Sequence, residues 1–468
     1  MSLARLRQTL GDPVSAQSLA ALRILFGAIL TWDCFRYIQA DRIRRYYVDV
    51  EMTFPYFGWD FIQPVAAPYI YWLWGLVGVS AALVMVGLFF RAAIVTFILT
   101  FGYFFLLDRA QYLNHNYMVL LYAVLLALSP AGRAWSVDAW LRPRLAQPVI
   151  PRWPVAAVRL QTEIILIYAG IVKITDDWLR GEPLREWTRD AVGQVWIAPI
   201  FQYEPVVLAA AWGTIALHIL GAPLLLWHRT RPWIFAVYCA FHISNSIFFN
   251  IGIFPWLTIA VSTIFFAPDW PQRLLRRALG LFETLPPMPA PLPVRSSPIP
   301  AALMAVLAVW FAVQVILPQR QILFPNLVGW TGDGHRFSWR MRIYDRKAEG
   351  WFEVVSADGT QSWIVDPEEH LTHRQAETML TRSDMIHDFA RKIETIWMAK
   401  GHADPKVYAH VTMSLNSRPM QPFIDHTVDL TAVSYNLFAP DPWVVPLQHR
   451  AADDQFAEWF PPLPLQKP

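Results

Sequence analysis

Charge is what this chain has least of. Only 16% of its 468 residues are Asp, Glu, Lys or Arg, against roughly a quarter in soluble domains. A net charge of +3, small and dispersed, prepares no face for nucleic acid. Cysteine is nearly absent: Cys34 and Cys239 both stand inside apolar runs, which excludes a disulfide scaffold and leaves the redox compartment open. P-loop, GxSxG, dinucleotide, HExxH and paired CxxC patterns are missing as well, and no metal is expected. Residues 1–18 carry Arg5 and Arg7 but no apolar stretch before Leu19. The first apolar run is therefore expected to stay as an anchor rather than be cleaved as a signal peptide.

What fills the chain instead is apolar and aromatic. Hydrophobic residues make up 55%, with 23 Trp and 29 Phe, as membrane interfaces with aromatic belts require. A helix needs about 20 apolar residues to cross the hydrocarbon. Spans are expected near 19–38, 68–90, 92–107, 112–130, 153–173, 205–227, 232–252, 255–267 and 299–317. The stretch 232–267 is too long for one helix. Arg229 and Arg231 before it, and Arg273, Arg276 and Arg277 after it, belong on one side by the positive-inside rule, which requires two crossings. Pro255 offers the turn. With a cytoplasmic N-terminus, residues 131–152 then lie inside with four arginines, and everything after about 318 lies outside.

Residues 268–298 read as a Pro-rich surface linker opened by a basic amphipathic piece, "RLLRRALGLF". The tail changes character. "HRFSWRMRIYD" and "GWFEVVSADGTQSWIVD" alternate apolar and polar residues around Asp358-Gly359, a hairpin signal. Thr372 and Gln375 have capping-box spacing, a helix is expected from about 384 to Gly401, and "KVYAHVTMSLN" reads as a strand. The fold class is thus a polytopic α-helical membrane protein of eight or nine spans, residues 1–318, with a small C-terminal extracytoplasmic α+β domain, residues 319–468.

Polar groups within the spans are few and expensive, at about 2.5–3.5 kcal/mol for a charge at the bilayer centre. In "IYAGIVKITDDWLRG", Lys173 ends an apolar run. It either snorkels and pairs with Asp176 or Asp177, or has a task. Arg159, Glu163, Gly170 and Lys173 share one helix face. Asn114, His115 and Asn116 open the fourth span. His218 stands in the sixth, His242, Asn245 and Ser246 in the seventh, and Arg23, Asp33 and Arg36 in the first. Each histidine alone is more often a helix-packing group than a catalyst; together the polar groups imply a buried cavity opening outward. A lysine in apolar surroundings has its charged form disfavoured and becomes a base near neutrality, suited to a weakly acidic, lipid-soluble substrate such as a quinol.

Several stretches together resemble the vitamin K-dependent γ-glutamyl carboxylase family: "LNHNYMVLLYAVLLALSPAGRAWSVDAW", "VAAVRLQTEIILIYAGIVKITDDWLRGEPLREW" and "FHISNSIFFNIGIFPW". "YVDVEMTFPYFGWDFIQP", "GHRFSWRMRIYDRKAEGWFEV" and "MSLNSRPMQPFIDHTVDL" agree, in order, across most of residues 20–435. The resemblance implies a membrane enzyme in which a lysine deprotonates reduced vitamin K. The quinol takes up O2 and ends as its epoxide, generating a base able to remove a γ-proton from glutamate; the carbanion then adds CO2. The family's base falls on Lys173. His115 and Asn114 match its Asn-His pair and, with Tyr168, are the implied quinol contacts, His115 also as a catalytic group. His242 and Asn245 match its FHxxNS element as substrate contacts, and Arg159 is a further candidate for holding a carboxylate. The implied partners are the lipid bilayer, the quinol and a glutamate-containing protein or peptide. The size and basic loops imply a prokaryotic member in a bacterial inner membrane. Three features differ. Val172 precedes the lysine where a second lysine is expected, His218 replaces an expected acid, and the tail is shorter than in animal members. Two alternatives therefore stay open, a quinol epoxidase without carboxylation and a non-enzymatic transporter or assembly protein.

Overall fold

The computed structural model describes residues 2–249, 251–278, 280 and 296–448. Most of the expected Pro-rich linker and the apolar end of the tail lie outside these residues.

Among the described residues, six helices are long and apolar enough to cross a membrane. They are α1 (Gln17–Gln39), α2 (Ala67–Val86), α3 (Phe90–Leu107), α5 (Trp153–Ile171), α6 (Glu204–Leu226) and α9 (Ala301–Leu323). Between them stand α4 (Asn114–Leu128), α7 (Arg231–Phe248) and α8 (Phe254–Phe265). The expected count of eight or nine full spans is therefore not met on length and composition. At about 1.5 Å per residue, the 15 residues of α4 rise only about 22 Å, and α7 interrupts its apolar run with His242, Ser244, Asn245 and Ser246. The stretch 232–267 does divide into two helices. α7 ends at Phe248 and α8 begins at Phe254; before that start Gly252 adopts φ +61°, while Pro255 sits in the first turn of α8 rather than in the turn itself. Proline suits that position because its missing N–H has no helical acceptor there.

The ends of the helices gather into two layers. At one, a short N-terminal helix (Leu3–Gly11) leads into β1 (Pro13–Ser15), which pairs antiparallel with β2 (Val149–Pro151). Arg23, buried in α1, donates to the carbonyls of Ala131 and Ala134 at 3.1 and 3.2 Å. At the other layer sits the tail, a four-stranded sheet in the order β4-β3-β5-β6. Its strands are β3 (Arg346–Val355), β4 (Ser362–Val365), β5 (Lys406–Leu415) and β6 (Gln421–Pro422), with helices α10 (His373–Leu380) and α11 (Ser383–Ala399) packed against it. The hairpin turns at Asp358-Gly359, and the Thr372–Gln375 capping box is formed in both directions.

"HRFSWRMRIYD" is not a strand. Phe337, Trp339 and Arg342 take positive φ values of 60°, 59° and 46°, and β3 begins only at Arg346. The cause is tertiary. Trp339 is fully buried and stacks on Tyr117 at 5.2 Å, with Phe337 edge-on to the same ring, so the segment wedges into the helical core instead of pairing. The interlock is mutual: Phe54 and Ala110, from loops between the helices, are buried in the core of the tail. Within the helices, Trp310 and Tyr117 both reach the glutamine pair Gln161–Gln314 by hydrogen bonds of 2.9 and 3.2 Å, polar pairing of the kind that holds membrane helices together.

Candidate active site

Where the helix ends meet the tail, a cavity of about 570 Å³ opens. α4 contributes Asn114 and His115 at its first turn, α6 contributes Thr214 and His218, and α7 contributes Phe241 and Asn245. Lys173 comes from the turn just past the end of α5. The wedge 335–342 forms the roof, through His335, Arg340, Met341 and Arg342.

Lys173 is 6% exposed. Its ammonium nitrogen lies 3.2 Å from Ala169 O and 3.1 Å from Met341 O, and 5.0 Å above the ring of Trp178. Asp177 does not pair with it: both its oxygens accept from Arg418 at 2.7 Å, and Asn416 adds a third bond. No carboxylate of the described residues forms an ion pair with Lys173, which disposes of the snorkelling pair. Lys173 stands two residues beyond the last residue of the span Trp153–Ile171. Burial, assisted by the nearby Arg340 guanidinium, pushes its pKa down to about 7, because desolvation penalises the charged form.

The neighbouring groups are fixed by local chemistry. α6 contains one π-helical turn, Leu217–Gly221, a local widening often found at functional sites. His218 lies in it, with Nδ1 2.7 Å from Thr214 O. That bond makes Nδ1 the N–H donor and leaves Nε2 as acceptor. The turn approaches α5 at Gly170, where an added Cβ would come within 2.9 Å of His218 Cβ and 2.8 Å of an Ile219 side-chain carbon; only glycine allows this approach. Asn114 accepts from Tyr112 Oη at 2.9 Å and donates to Arg340 O at 3.0 Å, tying α4 to the roof. Arg42, Arg340, Arg342, Arg374 and Arg382 line the cavity against a single acid, Asp33. Arg342 lies 4.8 Å from the Phe249 ring and 5.7 Å from that of Trp187. The chamber is therefore aromatic-walled and cationic, with one buried amine.

Of the residues expected from the sequence, Asn114, His115, Lys173 and Asn245 line this cavity; three others do not. Arg159 sits fourteen residues before Lys173, about 21 Å along a helix. It caps the end of α8 by donating to the carbonyls of Ile264, Phe265 and Phe266. Tyr168 points its hydroxyl to Val315 O at 2.6 Å and so braces α9. His242 is fully buried behind the wall, stacked on Tyr238 and edge-on to Phe241 and Phe254. Neither of its ring nitrogens has a hydrogen-bond partner among the described residues. The sequence reading missed Arg340, Met341 and Arg342, and it gave His218 and Trp178 no assigned role. The arginine spacing in "SWRMRIYDRK" was the available signal for the roof.

The HTTM domain family matches residues 12–270, over half of the chain, and the vitamin K-dependent gamma-carboxylase lumenal domain family matches residues 300–450. No solved structure matches the chain. The first match covers the apolar helices and the second covers the tail, so both halves of the cavity lie in matched regions. This chain is an integral membrane protein of the vitamin K-dependent γ-carboxylase family.

Proposed function

We propose that the cavity is the active site of a membrane enzyme that oxygenates reduced vitamin K and uses the base so generated to carboxylate glutamate side chains. The observation carrying this reading is Lys173 itself: a buried amine, unpaired by any carboxylate of the described residues, with a pKa lowered to about 7. A cavity of about 570 Å³ walled by Trp178, Trp187, Phe249 and Phe254 has the size and flat aromatic faces to hold a naphthoquinol ring. When bound, reduced vitamin K supplies a hydroxyl proton and the electrons for reaction with O2.

Lys173 Nζ, unprotonated, accepts that hydroxyl proton. The carbonyls of Ala169 and Met341 then hold the ammonium formed, and the Trp178 face stabilises it further. His115, Asn245 and His218 Nε2 are hydrogen-bonding groups available to the rest of the ring. Arg340, Arg342 and Arg382 are suited to bind the glutamate carboxylate, whose γ-carbon loses a proton and gains a bond to CO2. His242, behind the wall, positions Phe241 and Phe254 rather than touching substrate.

The preferred orientation puts the tail and the cavity outside the cell and the N-terminus in the cytoplasm. Arg133, Arg142, Arg144, Arg152, Arg229 and Arg231 all lie at the layer away from the tail, as the positive-inside rule prefers, and the lumenal-domain match supports the same orientation for the tail.

The pH dependence tests the base. A catalyst that works unprotonated gains activity as pH rises through its pKa and then levels off. Epoxide formation at subsaturating quinol should climb about tenfold per unit below pH 7 and flatten above it. A profile flat from about pH 5.5 to 8 would remove Lys173 as the proton acceptor.

A further inference from the structure

Among the described residues, one edge of the sheet is left open. β4 pairs with β3 only along Phe352–Val355, because the chain turns away at Pro367 into a short 3-10 helix. On that side, residues 346–351 have no neighbouring strand among the described residues, although β5 pairs with the other side of β3 along its whole length. The phase of the ladder tells which backbone groups face outward. Asn416 N donates to Asp345 O at 2.9 Å, while Ser356 N, on the β4 side, donates to Gln361 O at 2.9 Å, so the odd-numbered positions of β3 face β5 and the even-numbered ones face away from it. Arg346, Ala348 and Gly350 therefore turn N–H and C=O toward the open side. Consistently, Val411, the partner of Gly350, accepts on its far side from Phe423. No other described residue hydrogen-bonds these outward groups.

This edge forms one wall of a second cavity, of about 540 Å³, which Glu377 and Thr378 of α10 and Thr381 just past its end also line. The groove meets the Lys173 cavity, for His335, Arg340, Arg342 and Arg382 line both. Its acids are Asp345, Glu349 and Glu377. Lys347 pairs with Glu186 at 2.7 Å and with Asp345. The guanidiniums of Arg340, Arg342, Arg346 and Arg382 have no carboxylate in ion-pair reach among the described residues, and one Arg382 nitrogen is buried without a hydrogen-bond partner. Open backbone and uncompensated cations thus lie side by side, leading to the buried amine.

We propose that this groove binds an acidic polypeptide in extended form, as an added strand along Arg346, Ala348 and Gly350, and delivers its carboxylates to the guanidiniums at the mouth of the Lys173 cavity. Backbone bonds to a sheet edge give such binding its affinity, and flanking side-chain pockets give it selectivity. The fate of the bound glutamate rests on the proposed function; the binding rests on the edge and the charges alone.

The test uses the purified full-length protein and a labelled glutamate-rich dodecapeptide, followed by fluorescence anisotropy. N-methylation of alternate peptide bonds is made in both phases, and the protein is compared with Ala348→Pro. Proline there removes an outward N–H and spares the β3–β5 ladder, as edge prolines do. One methylation phase, and Ala348→Pro, should each weaken binding about tenfold, the factor of one lost backbone hydrogen bond. The other phase should change little, and a glutamine version should bind more weakly. Equal affinity for both methylation phases and the parent, or no binding at all, overturns the added strand. Equal affinity for the glutamine peptide overturns the acidic preference. Should Ala348→Pro fail to fold, the two phases still decide on the wild-type protein. Phase-dependent binding by a protein that makes no epoxide keeps the strand site and removes the proposed function; epoxide without phase dependence does the reverse.

Discussion

Lys173→Met should lower epoxide formation from reduced vitamin K by about 10²–10⁴-fold, the contribution of a positioned proton acceptor, while the protein still folds and inserts. Methionine keeps the aliphatic stem against Trp178 and removes only the amine. The two carbonyls that the amine touches, Ala169 O and Met341 O, lose a partner beside a cavity that water can reach, so the stability cost is small. The readouts are epoxide by chromatography and thermal unfolding of the purified variant. Full activity in a folded Lys173→Met protein would dismiss the base; loss of both activity and folding would be resolved by Lys173→Arg, which keeps a cation but cannot be deprotonated.

The second large effect lies at the junction of the two halves. Asp384, buried at the start of α11, accepts from Arg109 at 3.0 Å and from Arg336 at 2.7 Å. Arg109 comes from the loop between α3 and α4, and Arg336 from the roof. Burial alone would raise the Asp384 carboxyl, but Arg336 and Arg109 beside it hold it well below the usual carboxylate range. Asp384→Ala leaves Arg336 buried without its carboxylate, and removing one partner of a buried pair costs about 3–5 kcal/mol. We expect a lower unfolding temperature and earlier proteolytic release of the tail. The pH dependence has a definite sign. The folded pKa is depressed, so this stabilisation is fully present above the unfolded value of about 3.9 and is lost as pH falls toward the folded one. A tail whose protease resistance is the same in Asp384→Ala and wild type would show that the junction is held by the apolar interlock alone.

The sequence was most informative where one local interaction decides. Apolar composition exposed the helices, Asp358-Gly359 exposed the hairpin, and the Thr372–Gln375 spacing exposed a capping box. Lys173, His115 and Asn245 were legible as cavity-lining groups because polar groups in apolar runs are costly and therefore need a reason. The same signal drew in Arg159, and the resemblance drew in Tyr168, neither of which lines the cavity. Periodicity gives the face of a helix, but it does not say that Arg159 serves carbonyls at the far end of its helix, or that Tyr168 turns to α9. The roof was illegible for a deeper reason. Its alternation imitates a strand, and only the burial of Trp339 against Tyr117 selects the positive φ values found there. Likewise the π-turn that carries His218, and the glutamine pair joining α5 to α9, exist only once two helices meet.

Epoxide formation by the purified wild-type protein, supplied with reduced vitamin K, O2 and labelled bicarbonate, with and without a glutamate peptide, goes to the centre of the matter. We expect epoxide that depends on Lys173, and label on the γ-carbon of the peptide. Epoxide without label in any glutamate peptide would confine the enzyme to quinol oxygenation, and no epoxide under any condition would contradict the assignment of this cavity.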